Sequence, residues 1–378
     1  MSPIRLGVIG LSTQGWASSA LIPPIFDPLL SSKYTLTALC TSSEASATVA
    51  ATKYSSLVGH PVKAYFGEAG LNAIANDANV DMVVVSVKIP EHYKAIMPAI
   101  AAGKDIFVEW SPGKNLQETI AIAEAAKQRG IRSLVGAQAV QGNTVKKLKE
   151  LVDSGQIGRL LSTSASLICP PEIHLWGATL RPSAQYTLDE TNGASMLVIP
   201  LAHYLTALTF VLGDITTVSA TAATHIKKVK VVDASGNPTG ESDLVKNAYD
   251  QIILTGTLGG RHEGALVTIN CQAGPSAGRF LWFVDGEDGI IEARNRPENG
   301  APGAFASTAE MQVMLNNKEV ELETKEEDRL GNPGKAWLEF AKGTEGRYET
   351  LESSVRIWKI LDAVLKSVEA DGKSIPVI

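Results

Sequence analysis

The sequence predicts a two-domain α/β protein. A doubly wound parallel sheet spans residues 1–137, and an α+β domain with a large open, mainly antiparallel sheet spans 138–378. Three observations predict it. The first 137 residues alternate apolar strand-like runs with helix-like stretches. Beyond Gln138, long runs rich in Thr, Val and Ile follow one another with few helices between them. At 378 residues the chain is also too long for one compact core.

Ile4 to Ile9 is an apolar run ending at a glycine, and a helix-like segment follows from Gly15 to Leu30. Tyr34 to Cys40 alternates as a strand and Ala45 to Tyr54 reads as a helix. Val80 to Val87 is continuously apolar and β-branched, as a parallel strand covered on both faces must be. A helix over Glu91 to Ala102 ends at Gly103, and Asp105 to Glu109 is the next strand. Asn115 with Glu118 three residues on is a capping box, starting a helix through Lys127 that Gly130 closes; Ser133 to Val135 completes the set. In the second half, a helix over Val145 to Ser154 leads into strands Leu160–Ile168, Thr216–Ala223, Ala248–Thr257, Gly264–Cys271 and Phe280–Val284. Val232 to Glu241 reads as a hairpin tip, Arg294 to Thr308 as a loose Gly/Pro/Ala-rich segment, and Leu351 to Glu369 as an amphipathic helix.

The net charge of −6 supplies no basic footprint, so nucleic acid is not expected as a direct partner. No signal-peptide core is expected at the start, and no stretch is expected to reach the roughly 18 apolar residues of a membrane span. Cys40, Cys169 and Cys271 are odd in number, far apart and set in apolar runs, which predicts buried reduced thiols and a cytoplasmic location. The six histidines form no HxxxH or Cys/His cluster, so no metal site is expected.

The first strand ends in Gly7-Val-Ile-Gly10-Leu-Ser12-Thr13-Gln-Gly15. Gly10 and Gly15 hold the outer positions of a G-x-G-x-x-G dinucleotide turn, whose amides approach a pyrophosphate, while Ser12 replaces the central glycine. A purely structural tight turn is the competing reading, and the strand before and helix after favour a ligand. The second strand ends Cys40-Thr41-Ser42-Ser43, with no carboxylate to grip a ribose 2′-hydroxyl and no arginine to demand a 2′-phosphate. NAD or NADP both remain admissible.

With these residues on the page, the chain resembles the glucose–fructose oxidoreductase/inositol dehydrogenase/MocA family. The resemblance runs through GVIG at the start, VSVKIPEH up to His92, GKDIFVEW (103–110), GAQAVQGNTVKKLKELVDSGQIGRL (136–160), GASMLVIPLAH (193–203), VDGEDGIIE (284–292) and the final DGKSIPV. It implies a Rossmann domain followed by an open sheet whose face carries substrate. Three departures bear on chemistry. The family's Glu-Lys-Pro, whose lysine is the acid/base, is here Glu109-Trp110-Ser111; the Asp four residues before the retained His203 is Ile199; and Lys88 stands where a proline is usual. Gly15-Trp16-Ala17 and Phe107-Val-Glu-Trp110 are similar to the fungal galactose-regulon repressor branch, which implies a dinucleotide-binding sensor with a protein partner.

The resulting cofactor set is Gly10, Ser12, Thr13, Gly15, Trp16, Thr41, Ser42, Lys88, His92, Glu109, Trp110 and Gln138. Trp110 is no proton donor, since an indole N–H is not acidic, but it can stack on the nicotinamide; plain packing is the alternative. Glu109 either meets the nicotinamide ribose or ends a strand, and His92 either joins the site or packs the following helix. Lys88, at the carboxyl end of an apolar strand, replaces the missing cation or snorkels to the surface. His203 is a site residue or a satisfied core histidine. Tyr186, with His174, Trp176 and Arg181, falls in an irregular loop suited to a pocket rim or to loop anchoring. Lys88, His203 and Tyr186 are therefore the catalytic candidates. Two functions remain: an oxidoreductase acting on a small carbonyl, hydroxyl or imine compound with a rewired proton donor, and a catalytically silent dinucleotide-binding sensor. The open sheet predicts a homodimer or homotetramer.

Overall fold

A computed structural model describes residues 2–274, 278–295 and 311–378. The chain divides into two compact units, Met1–Gln138 with Lys325–Val355, and Ala139–Thr324 with Arg356–Ile378.

In the first unit β1 (Ile4–Ile9), β2 (Tyr34–Thr41), β3 (Lys63–Phe66), β4 (Met82–Val85), β5 (Asp105–Glu109) and β6 (Ser133–Gly136) form one sheet in the order β3-β2-β1-β4-β5-β6. Every pairing is parallel. The chain moves outward from β1 to β3, then returns to the other side of β1 at β4. That reversal opens a crevice at the carboxyl ends of β1 and β4, where sheets of this kind bind ligands. Helices α1 (Glu44–Val58), α2 (Gly67–Ala75), α3 (His92–Ala101) and α4 (Leu116–Arg129) connect the strands. The α4 capping box forms as the sequence predicts: the Asn115 side chain accepts from the Glu118 amide at 2.8 Å, and Gly130 closes the helix at φ 64°.

Three features differ from the sequence reading. Gly15 to Leu30 is not one helix but a five-residue π-turn, Ala17–Leu21, and a short 3₁₀ helix, Pro23–Phe26. Pro23 and Pro24 lack the N–H groups that an α-helix would need there. The sequence reading also passes over β3 and α2, because β3 is an edge strand with an exposed, unpatterned Lys-Ala-Tyr-Phe. Finally, the helix Gly331–Ala341 joins the first unit although the sequence allots it to the second half of the chain. Its fully buried Trp337 stacks on Phe107 at 5.0 Å and donates its indole N–H to the Leu21 carbonyl at 3.0 Å, so it completes the core on one face of the sheet.

The second unit is built on nine strands. Across the sheet they are Lys318–Val320, Gln312–Leu315, Ile290–Arg294, Arg279–Gly286, Leu160–Cys169, Leu266–Ala273, Gln251–Leu258, Ile215–Ala223 and Ile375–Pro376. Only Leu160–Cys169 with Leu266–Ala273 pairs in parallel among the described strands; the remaining pairings are antiparallel. Helices α5 (Asn143–Asp153) and α6 (Ala202–Leu212) belong to this unit. Val232 to Glu241 is a turn closed by a bridge between Val232 and Pro238. Of the loose segment Arg294 to Thr308, residues 296–308 lie outside the described residues. Cys40, Cys169 and Cys271 are free and buried. One stretch, Glu190–Leu212, does reach the length and apolarity of a membrane span, contrary to the sequence expectation; 83% of its most apolar window is buried inside the fold, as a core helix would be.

Candidate functional site

Gly10 sits at φ 94°, and a β-carbon there would collide with the Ser86 carbonyl oxygen beyond β4. Only glycine lets β1 and the segment after β4 come this close. Gly15 has φ 95° and nothing within 4 Å of a built β-carbon, so its restriction is conformational and its face is open. Between them Ser12 Oγ donates to the Gln14 carbonyl at 2.6 Å and accepts from the Gln14 amide at 3.3 Å. Ser12 therefore shapes the turn through its side chain, in place of the missing glycine. Thr13, Gln14, Gly15 and Trp16 are exposed along it.

Beside this turn lies a cavity of about 330 Å³, lined by Ile9 and Gly10 of the first strand end and Cys40, Thr41 and Ser42 of the second. Gly67, Glu68 and Leu71 from α2, and Val87, Glu91, Lys94 and Ala95 from around α3, close its sides. Apolar walls with a few hydroxyl and charged groups at a switch point suit a nucleoside. Thr41 is buried and donates to the Ser43 carbonyl at 3.0 Å, while Ser42 is exposed.

At the end of β5, Glu109 Oε1 accepts the indole N–H of Trp16 at 2.8 Å, and Oε2 lies against Gly136, where any side chain would collide with it. Burial pushes the Glu109 carboxyl up to about 7, against the opposing pull of the Trp16, Trp110 and Gln138 hydrogen bonds. It thus titrates near neutrality and accepts hydrogen bonds as a carboxylate mainly above that pH. Removing the Trp16 donor should raise it further: Trp16→Phe is expected to move the Glu109 midpoint above about 7, read by carbon-detected NMR of the carboxyl. An unchanged midpoint would show that the indole bond does not stabilise the carboxylate. Gln138 is buried beside this group, and Trp110 is only 6% exposed.

His92 departs from its expected place. It is fully buried, with Nδ1 2.7 Å from the Ser111 carbonyl and Nε2 3.0 Å from the Val87 carbonyl. Both ring nitrogens are spent on backbone, so the ring fastens the segment after β4 to that after β5 and presents nothing to a cofactor. Burial lowers its pKa while the two carbonyls oppose that shift. Lys88 is exposed and precedes the 3₁₀ helix Ile89–Glu91.

In the second unit His203 is the second residue of α6. Within 197–208, Ile199 and His203 alone keep partial exposure, and they are four apart on one helical side. That favours a histidine facing open space over a core histidine. Desolvation pushes it down to about 4, so the ring is neutral at pH 7. A neutral imidazole accepts a proton and is a poor source of one. Tyr186 is half-buried in the 3₁₀ helix Pro182–Leu188, and burial raises its phenol pKa.

Sequence reasoning missed what holds this loop. Lys246 and Asp250 form a buried ion pair at 3.0 Å, and Lys246 Nζ also donates to the Trp176 carbonyl at 2.8 Å. Asp250 accepts the His225 and Ile226 amides at 3.1 and 2.8 Å. Glu190 accepts from Ser195 Oγ at 2.6 Å and from the Tyr249 amide at 3.1 Å. In sequence these are scattered surface-like charges; only the fold buries them. Trp176 itself is buried, donating to the Ala194 carbonyl at 3.0 Å. Among the described residues, no three His, Cys, Asp or Glu side chains gather to hold a metal ion.

Comparison with known proteins decides the family. The chain is 30% identical over 376 residues to the dehydrogenase aclE of Aspergillus oryzae, covering 97% of this chain and 96% of that protein. Residues 4–137 match the model of the GFO_IDH_MocA oxidoreductase family with its NAD-binding Rossmann fold. The chain belongs to the Gfo/Idh/MocA family. Residues 143–294 also match the model of the Gal80p C-terminal domain. The galactose/lactose metabolism regulatory protein GAL80 of Saccharomyces cerevisiae is 27% identical over 269 residues, or 68% of this chain and 58% of that protein. A solved structure of a super-repressor mutant of Gal80p from the same yeast superposes with a TM-score of 0.83 at 20% identity, covering 100% of this chain and 98% of that one. This Gfo/Idh/MocA chain thus joins a dehydrogenase-family nucleotide domain to a Gal80-like second unit.

Proposed function

We propose that this chain is an NAD(P)-dependent oxidoreductase that removes hydride from a small hydroxyl compound, or returns it to the matching carbonyl or imine. The observation that carries the reading is His203: neutral at pH 7, partly exposed in an otherwise buried stretch, and retained from the family pattern. Gly10 and Gly15 would admit the pyrophosphate, the cavity beside Thr41 and Ser42 the adenosine, and Glu109 the nicotinamide ribose. The dinucleotide, when bound, supplies the hydride acceptor. His203 takes the hydroxyl proton, so oxidation is the favoured direction, and Tyr186 lines the substrate side. Trp110, which cannot donate a proton, fills space where the usual lysine would stand, and Lys88 supplies a nearby cation on the same sheet edge. The likeness to a dehydrogenase along nearly the whole chain supports this reading.

The test is a screen of small alcohols and polyols with NAD and NADP, following nicotinamide reduction. Turnover on any compound supports the reading. Tight dinucleotide binding with no turnover on alcohol, carbonyl or imine would transfer the conclusion to a second reading. That reading, a sensor that binds a protein partner, is favoured by Trp110 and Ile199 in place of the usual lysine and aspartate and by the Gal80-like second unit.

The assembly we propose is a homodimer or homotetramer in the cytoplasm. One face of the nine-stranded sheet is open: Ser219, Thr255, Thr268, Ser164, Phe283 and Glu292 align across it, with Ile253 55% and Leu266 59% exposed on the same face. Small hydroxyl side chains framed by apolar ones permit a second copy to approach closely. Light scattering is expected to give a particle of at least twice the 40.1 kDa chain, and a monomer at micromolar concentration would refute it.

A further inference from the structure

We propose that Glu68, paired with Lys94 at the rim of the cavity, makes this chain select NAD, with its free 2′-hydroxyl, over NADP. The proposal rests on the reading above that the cavity takes the adenosine half of a dinucleotide. The end of β2 offers only the hydroxyls of Thr41 and Ser42, and by itself would let a 2′-phosphate in. The structure adds a wall that this comparison of motifs leaves out. Gly67, at φ 63°, turns the chain out of β3 into α2 and sets Glu68 and Leu71 against the cavity. From the opposite side α3 and the turn before it bring Glu91, Lys94 and Ala95. Lys94 Nζ meets Glu68 Oε1 at 2.9 Å.

The charges lining the cavity are therefore two carboxylates and one ammonium, and the ammonium is already engaged. A 2′-phosphate brings about −1.5 to −2 charges at neutral pH. It would face a lining with one net negative charge, and could recruit Lys94 only by leaving Glu68 beside it without its partner. A 2′-hydroxyl meets no such penalty and can donate to a hydroxyl or carboxylate oxygen. The pair is solvent-exposed, with side chains 52% and 74% accessible, so it contributes little to folding. Its effect is on choice: specificity is a difference of affinities, and a repulsive element against the wrong ligand is one way to create it.

Titrating the full chain with NADH and with NADPH, by nicotinamide fluorescence at low ionic strength, tests this. NADH is expected to bind at least about tenfold more tightly, a ratio equivalent to about 1.4 kcal/mol. The preference should shrink as salt is raised, because exposed charges are screened. Glu68→Gln should narrow the ratio, and Glu68→Lys, which makes the lining cationic, should abolish or invert it. Equal affinities for the two cofactors in the unaltered chain, or a ratio that neither variant changes, would overturn the proposal while leaving the dinucleotide site intact. Binding of neither cofactor would overturn the underlying reading as well, so the two failures are distinguishable.

Discussion

Gly15→Asp is expected to weaken dinucleotide binding by about 100-fold or more, and Gly15→Ala by much less; two physical terms add in the first and only one acts in the second. At φ 95° any side chain at this position strains the backbone, at a cost of about 1–2 kcal/mol. Alanine pays that cost alone, because no atom lies within 4 Å of its β-carbon. Aspartate adds a carboxylate to an exposed turn that is to meet two phosphates. Calorimetric titration of the three proteins separates the terms. If Asp and Ala lose affinity equally, the pyrophosphate does not lie against this turn. The five-residue π-turn that follows has too few aligned peptides to act as the long helix dipole the sequence suggested, so the amides of the turn itself must carry the anion.

The fold was legible wherever hydrophobic patterning was continuous. β5 and the helix Leu351–Glu369 fall on their predicted bounds, and β4 shows the uninterrupted apolar run of a doubly covered strand. What escaped had weak or masked signals. β3 is a four-residue edge strand with two exposed ends, yet the helix it introduces supplies Glu68 to the cavity. The helix Gly331–Ala341 opens with Gly-Asn-Pro-Gly, which reads as a loop until Trp337 and Phe340 are seen packed in the core.

The site was legible in a different way. Its glycines and Glu109 could be named because their roles depend on local chain geometry and strand ends. The proton affinities could not, because they arise from burial by residues distant in sequence. Nothing around Glu109 in sequence announces a carboxyl near 7, and nothing around His203 announces a ring near 4. The ion pair of Lys246 and Asp250 is the same case: a charged spacing common on surfaces becomes a buried anchor for the Trp176 carbonyl.

His203→Ala is expected to lower turnover by about 10²- to 10⁴-fold on a substrate found by screening, the usual effect of removing a general base, with dinucleotide affinity changed only a few fold. The unaltered chain should show an acidic limb near pH 4, because His203 must be neutral to take a proton and its folded value is about 4. The sign for stability follows from the same shift. Since the folded value lies below the ordinary 6.5, the unfolded chain binds the extra proton more readily. Folding stability contributed by this site therefore falls as pH drops from 6.5 towards 4, and His203→Ala should flatten that slope. Ile199→Asp supplies the complementary experiment. It places a carboxylate four residues before His203 on the same helical side, where the family pattern has one, and a nearby anion raises an imidazole pKa. The acidic limb should move upward, towards 6.5, and the ring should gain capacity as a proton donor, speeding carbonyl reduction relative to hydroxyl oxidation. Combined with Trp110→Lys, the substitution restores both missing groups. If the double variant gains dehydrogenase activity that the unaltered chain lacks, the native protein is a silenced enzyme and the sensor reading stands. If His203→Ala keeps full turnover, the proton is taken by another group.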